Sequence, residues 1–228
     1  MKRKIAVRVI FRAALIFTLA PALFGCFQTP MEKYEHLISE LRDNVFIAQS
    51  ARYSVSIITG KREDPFIMDG HAGGMRDFTV ITVDPAAGEN TYAYRVTING
   101  KEYAGKLLAH PFAKTYSADI QALSLDTEIA LTITTDGQSE TLTAKSVKTE
   151  QMISCEKAVE IAEKKLKNAI GGFRVNGVMN CEIYVRLMSN PIDNSGGYYW
   201  YVAFIGEDKT IYAALIEPVS MQVVAVRD

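Results

Sequence analysis

The chain has 228 residues, 48% of them hydrophobic, with 25 Lys+Arg against 26 Asp+Glu and a formal net charge of −1. That balance leaves no basic excess to neutralise phosphates, which excludes a nucleic-acid binder. The five basic residues of the first 25 (Lys2, Arg3, Lys4, Arg8, Arg12) stand without an acidic one; without them, 20 basic residues face 26 acidic, a net charge of −6. A mildly acidic chain stays soluble and has no strong overall attraction to anionic lipid headgroups.

The basic start is followed by the apolar run "AALIFTLAPALFG". A charged n-region and a short h-region ending in small residues form a secretory signal pattern over 1–25. The run is too short to span a bilayer, and Pro21 would break a helix within it. Its close, "LFGC", resembles a bacterial lipobox, with Leu23 and Gly25 at their usual places and a bulkier Phe24 between them. The resemblance implies cleavage before Cys26, a lipid on its thiol, and an extracytoplasmic protein anchored to the cell membrane. Two acyl chains suffice for stable anchoring, because each buried methylene contributes about 0.8 kcal/mol.

Residues 26–50 then read as a tether, "FQTP", and a helix. Tyr34, Leu37, Ile38, Leu41, Val45 and Ala48 recur three or four apart, the stripe of an amphipathic helix beginning near Met31 and ending between Asp43 and Gln49. From Tyr53 the period changes to two, and strands dominate to Val147. Asn99-Gly100 and Asp136-Gly137 each sit between β-rich runs and accept the positive φ of a type I′ hairpin turn. Six or so short strands over 51–149 predict an antiparallel β-sandwich-like domain.

Residues 150–228 change pattern again. Cys155, Ala158, Val159, Ala162, Leu166 and Ala169 lie on one helical face, with Ser154 placed as N-cap and Gly171-Gly172 as the stop. Strand candidates follow at "CEIYVRLM", "GYYWYVAFI", "TIYAALIE" and "QVVAVR", so the predicted unit is a helix packed on an antiparallel sheet. The expected fold class is therefore α+β: an N-terminal helix, a β-sandwich-like middle and a C-terminal helix on a sheet.

The helix at 154–170, the "YYWYVAFI" strand and the final hairpin "TIYAALIEPVSMQVVAV" resemble a PepSY-type domain. In that family an aromatic-rich strand precedes a hairpin whose turn commonly reads Asp-Pro-x-Thr-Gly. Here Glu217, Pro218 and Ser220 approximate that turn, and Met221 stands where glycine is usual. The resemblance implies a module acting through binding, with restraint of surface peptidases among its proposed roles, and it carries no catalytic residues.

No catalytic set, cofactor motif or metal-ligand spacing is legible. "GKEYAGKL" has the glycines and lysine of a phosphate loop, but Leu107 replaces the magnesium-binding hydroxyl and the stretch lies in a hairpin. "SCEK" lacks the further elements that a penicillin-interacting enzyme requires, and the N-cap role of Ser154 explains it. Cys155 and Cys181 face the same predicted core, either as a disulfide or as two buried thiols. The glycine-rich stretch "EDPFIMDGHAGGMRDF" reads as a long mobile loop, with a cation or partner site on Asp69, His71 and Asp77 as the alternative. Tyr199, Trp200 and Tyr201 lie in one aromatic strand, and the face of that strand not covered by the helix is a candidate surface for a protein partner. The resulting expectation is a non-catalytic binding or regulatory module engaging an envelope protein or peptide. An envelope hydrolase using the 69–77 loop, or a purely architectural lipoprotein, are the alternatives.

Overall fold

The computed structural model describes residues 33–86, 91–192 and 196–228. Cys26 and the signal segment lie outside these residues. In chain order the strands are β1 (Ile38–Gln49), β2 (Tyr53–Glu63), β3 (Met75–Pro85), β4 (Ala93–Ile98), β5 (Lys101–Lys106), β6 (Leu108–Ala109), β7 (Tyr116–Ile120), β8 (Glu128–Thr135) and β9 (Gln138–Ser146). The helix α1 (Cys155–Leu166) precedes β10 (Arg174–Val175), β11 (Val178–Met179), β12 (Glu182–Ser189), β13 (Tyr198–Ile205), β14 (Ile211–Ile216) and β15 (Val223–Arg227).

The fold is mostly antiparallel β with a single α-helix among the described elements, which corrects the α+β expectation. The predicted N-terminal helix is instead β1, preceded by one 3-10 turn at Glu35–Leu37. The reason is tertiary. β1 is an interior strand with β2 along one edge and β12, then β9, along the other. Ile38, Ser39 and Glu40 are consecutive and all buried, so alternation is absent where both faces are covered. An irregularity between Arg42 and Asn44 then shifts the phase, and the combined pattern imitates a helical stripe. Gly60 of β2 faces this irregularity; a β-carbon there would run into the Leu41 carbonyl.

The sandwich expectation is corrected too. β9 returns to pair with β1, so β1–β5 and β7–β9 curl into a nearly closed barrel whose open seam lies beside β5. Its interior holds Phe46, Ile57, Ile81, Val96, Leu131 and Ile133, all essentially inaccessible. Strand count and turns are written locally, whereas closure depends on stagger between strands distant in sequence. Both hairpin turns have positive φ at both central residues: 49° and 78° at Asn99-Gly100, 50° and 75° at Asp136-Gly137.

The second core lies under α1. β12 joins β1 in parallel, and β13, β14 and β15 follow antiparallel. Ser154 caps α1, its Oγ accepting from the Lys157 amide at 3.4 Å. The buried stripe Cys155, Ala158, Val159, Ala162 and Leu166 packs over Val185, Val202, Phe204 and Ala214. Tyr34 fastens the chain entry to this core: its ring meets Phe204 edge-on at 6.3 Å, and its hydroxyl donates to Glu163 at 2.7 Å. One sheet thus runs through both cores, with β1 as their shared strand. Among the described residues no helix is long and apolar enough to cross a membrane.

Candidate functional site

Alternation along β12 and β13 sorts side chains to two faces. Ile183, Val185, Leu187, Trp200, Val202 and Phe204 lie beneath α1; Glu182, Tyr184, Arg186, Tyr199, Tyr201, Ala203 and Ile205 take the outer face. Trp200 is 1% exposed, and its indole N–H donates to the Ile153 carbonyl at 3.0 Å. It is a core residue, so of the three aromatics only Tyr199 and Tyr201 reach the candidate surface, each half-buried.

Tyr201 helps line a small apolar pocket of about 140 Å³ with Pro191, Ile192, Ala213, Leu215, Ala225 and Arg227. The pocket borders β15, which has no neighbour on its far side among the described strands. An unpaired edge beside an apolar pocket is the arrangement used for strand addition by an extended peptide.

The loop 64–74 covers the other end of the outer face. The Phe66 ring lies 5.6 Å from that of Tyr184. Buried Glu63 accepts from the amides of Ile67 at 3.1 Å and Gly73 at 2.7 Å, so one carboxylate holds two points of the loop. Gly70, with φ at 88°, sits against the backbone of Gly206 and Glu207 where a β-carbon would clash. The loop is therefore folded onto the sheet. Asp69 accepts from the His71 amide at 3.0 Å, and His71 Nε2 lies 3.5 Å from Glu207. Asp77 is an exposed residue of β3 paired in register with Lys61, so the three polar residues of this stretch are not assembled into one site. No cluster of three potential metal ligands occurs among the described residues.

Sequence reasoning missed the acidic patch beneath this loop. Glu40, Glu63 and Glu182 are all buried, beside Ser39 and Tyr184. Arg42 and Arg186 both pair with Glu40. Glu182 accepts a 3.3 Å bond from Ser39, with the Tyr184 hydroxyl and the Asp69 amide also facing it; among the described residues its Oε1 and the Tyr184 hydroxyl have no well-formed partner. Burial pushes the Glu182 carboxyl above the usual carboxylate range, with Glu63 adding to it. Burial, then the neighbouring Glu182, raises Tyr184 as well. The signal was present but unweighted: "ISELR" and "CEIYV" each place a glutamate inside a β-rich apolar run.

Cys155 and Cys181 are free thiols, both buried. Burial, with Glu156 beside Cys155 and Glu182 beside Cys181, pushes each up to about 12. Neither is a thiolate nucleophile at neutral pH. Ser154 is engaged in the cap of α1, and His71 faces a carboxylate. No family model, curated protein or solved structure matches the chain.

Proposed function

We propose that the protein is a lipid-anchored extracytoplasmic binding module, tethered through Cys26, that engages an envelope protein or peptide on the outer face of its C-terminal sheet. The observation carrying this reading is the apolar pocket walled by Tyr201 beside the unpaired edge of β15. The pocket admits one apolar side chain of a strand laid along β15, while backbone hydrogen bonds supply the rest of the affinity. The resemblance of 150–228 to PepSY-type modules, which act through binding, points the same way.

The test is in-cell crosslinking of the anchored protein with identification of what co-purifies, comparing the native chain, Tyr201→Ala and Cys26→Ala. Specific enrichment that Tyr201→Ala abolishes in a folded protein is the expected result. Equal capture by the native chain and Tyr201→Ala would remove the partner from this face. Equal capture and membrane retention of Cys26→Ala would remove the anchor.

A further inference from the structure

The turn after α1 and the β10–β11 hairpin form a pole with an unusual surface. Val175 and Val178 are directly paired beside the Asn176-Gly177 turn, yet are 58% and 65% exposed. Lys164, Lys165 and Lys167, at the end of α1 that leads into this hairpin, are all exposed, as is Arg174, whose guanidinium donates to the Gly177 carbonyl at 3.2 Å. Glu207 and Asp208 line a pocket with Val175, and Glu163 holds Lys33. Two exposed valines at a hairpin tip, with three exposed lysines on the turn that leads to it, match a lipid interface carrying anionic headgroups, although the chain as a whole is acidic.

The tether arrives at the same pole. Lys33 pairs at 2.7 Å with Glu163, the residue immediately before Lys164. Seven peptide units separate Cys26 from Lys33, a span of at most about 25 Å when fully extended. A lipid on Cys26 therefore confines this pole, and not the opposite end of the barrel, to the bilayer surface. The distal end is marked by Phe112, 94% exposed at the tip of the β6–β7 hairpin. β1 leads away from the tether toward it, over about 40 Å of strand.

We infer that the β10–β11 hairpin rests on the membrane, with Val175 and Val178 seated among the headgroups and the lysines at the end of α1 paired to anionic lipid. This rests on the anchoring reading above. It holds the outer sheet face and the β15 edge at a fixed orientation to the bilayer.

The test uses the intact lipidated protein in vesicles of phosphatidylglycerol and phosphatidylcholine. Cys155 and Cys181 are buried and protonated, and the lipidated Cys26 sulfur is blocked, so a new surface cysteine is labelled selectively. A fluorophore on Val178→Cys is expected to lose several-fold of its emission when doxyl-labelled lipid is included, and one on Phe112→Cys to lose none. Replacing Lys164, Lys165 and Lys167 by glutamine is expected to reduce the Val178→Cys quenching. The mass of the purified protein separates the two readings. An unlipidated Cys26 overturns the anchor and the pole together; a lipidated protein with equal quenching at both labels overturns the pole alone.

Discussion

Arg186 of β12 is ion-paired with Glu40 of β1 across the parallel joint between the two halves of the sheet. Glu40 is buried and also receives Arg42 Nε at 2.9 Å. The parallel register is thus secured by a carboxylate that water cannot satisfy. Arg186→Met leaves Glu40 with one cation and is expected to cost about 1.5–3 kcal/mol, the range for a hydrogen bond to a charged group. Adding Glu40→Gln should recover part of that loss, because the stranded charge is then gone. Urea unfolding of the two variants and the double measures both.

Glu182 gives a pH dependence of definite sign. Its folded-state pKa lies above the unfolded value, so its contribution to stability is complete below about pH 4 and is lost as pH rises through the folded value. Glu182→Gln is expected to flatten this decline, becoming the more stable of the two at high pH. Denaturant midpoints over an acid-to-alkaline series, read as the difference between the two proteins, isolate the group. Hydrogen-exchange protection in 64–74, measured relative to the intrinsic rate at each pH, should fall with rising pH only in the native chain, because that loop covers the buried carboxyl.

Trp200 and Tyr201 are neighbours in sequence with opposite roles. Trp200→Ala should cost about 3–5 kcal/mol, by cavity formation and by stranding the Ile153 carbonyl. Tyr201→Ala, half-buried on the outer face, should cost about 1 kcal/mol and remove partner capture. Thermal melts and the crosslinking assay separate the two.

The thiols of Cys155 and Cys181 should resist an aromatic disulfide reagent at pH 8 in the folded protein and react at once in denaturant, since both are buried with pKa values raised to about 12. Rapid labelling of either cysteine without denaturant would contradict the packing of α1 on β13 and β14.

Met221 holds a left-handed backbone conformation, φ 62°, in the turn where its amide donates to the Glu217 carbonyl at 3.0 Å. Met221→Gly relieves the steric cost of that conformation, worth about 1 kcal/mol, and is expected to raise the thermal midpoint by a few degrees. An unchanged or lower midpoint would mean that glycine's greater unfolded-state freedom offsets the relief.

The local grammar of this chain was readable where a residue's conformation is set by its neighbours in sequence. Asn99-Gly100 and Asp136-Gly137 turn as their chemistry requires, and α1 begins at the cap that Ser154 provides. The period of β1 misleads because β9 and β12, both distant in sequence, cover one of its edges while β2 lies along the other, and no periodicity of its own records that. The aromatic strand was half legible, since alternation separates Trp200 from Tyr199 and Tyr201 but cannot say which face α1 takes. The acidic patch is legible only as single glutamates within apolar runs; its members come from β1, β2 and β12, and only the register of three strands brings them together.

β1 is the first strand among the described residues, and it is gripped along both edges. If the chain is anchored through Cys26 as proposed, a pull on that anchor travels lengthwise down this strand. Its cross-strand hydrogen bonds then resist together in shear, and no end is free to peel open one bond at a time. Rupture under load is governed by the unfolding barrier, and here that barrier spans two cores at once. The strand that conceals itself in sequence is the one that would carry tension from such an anchor.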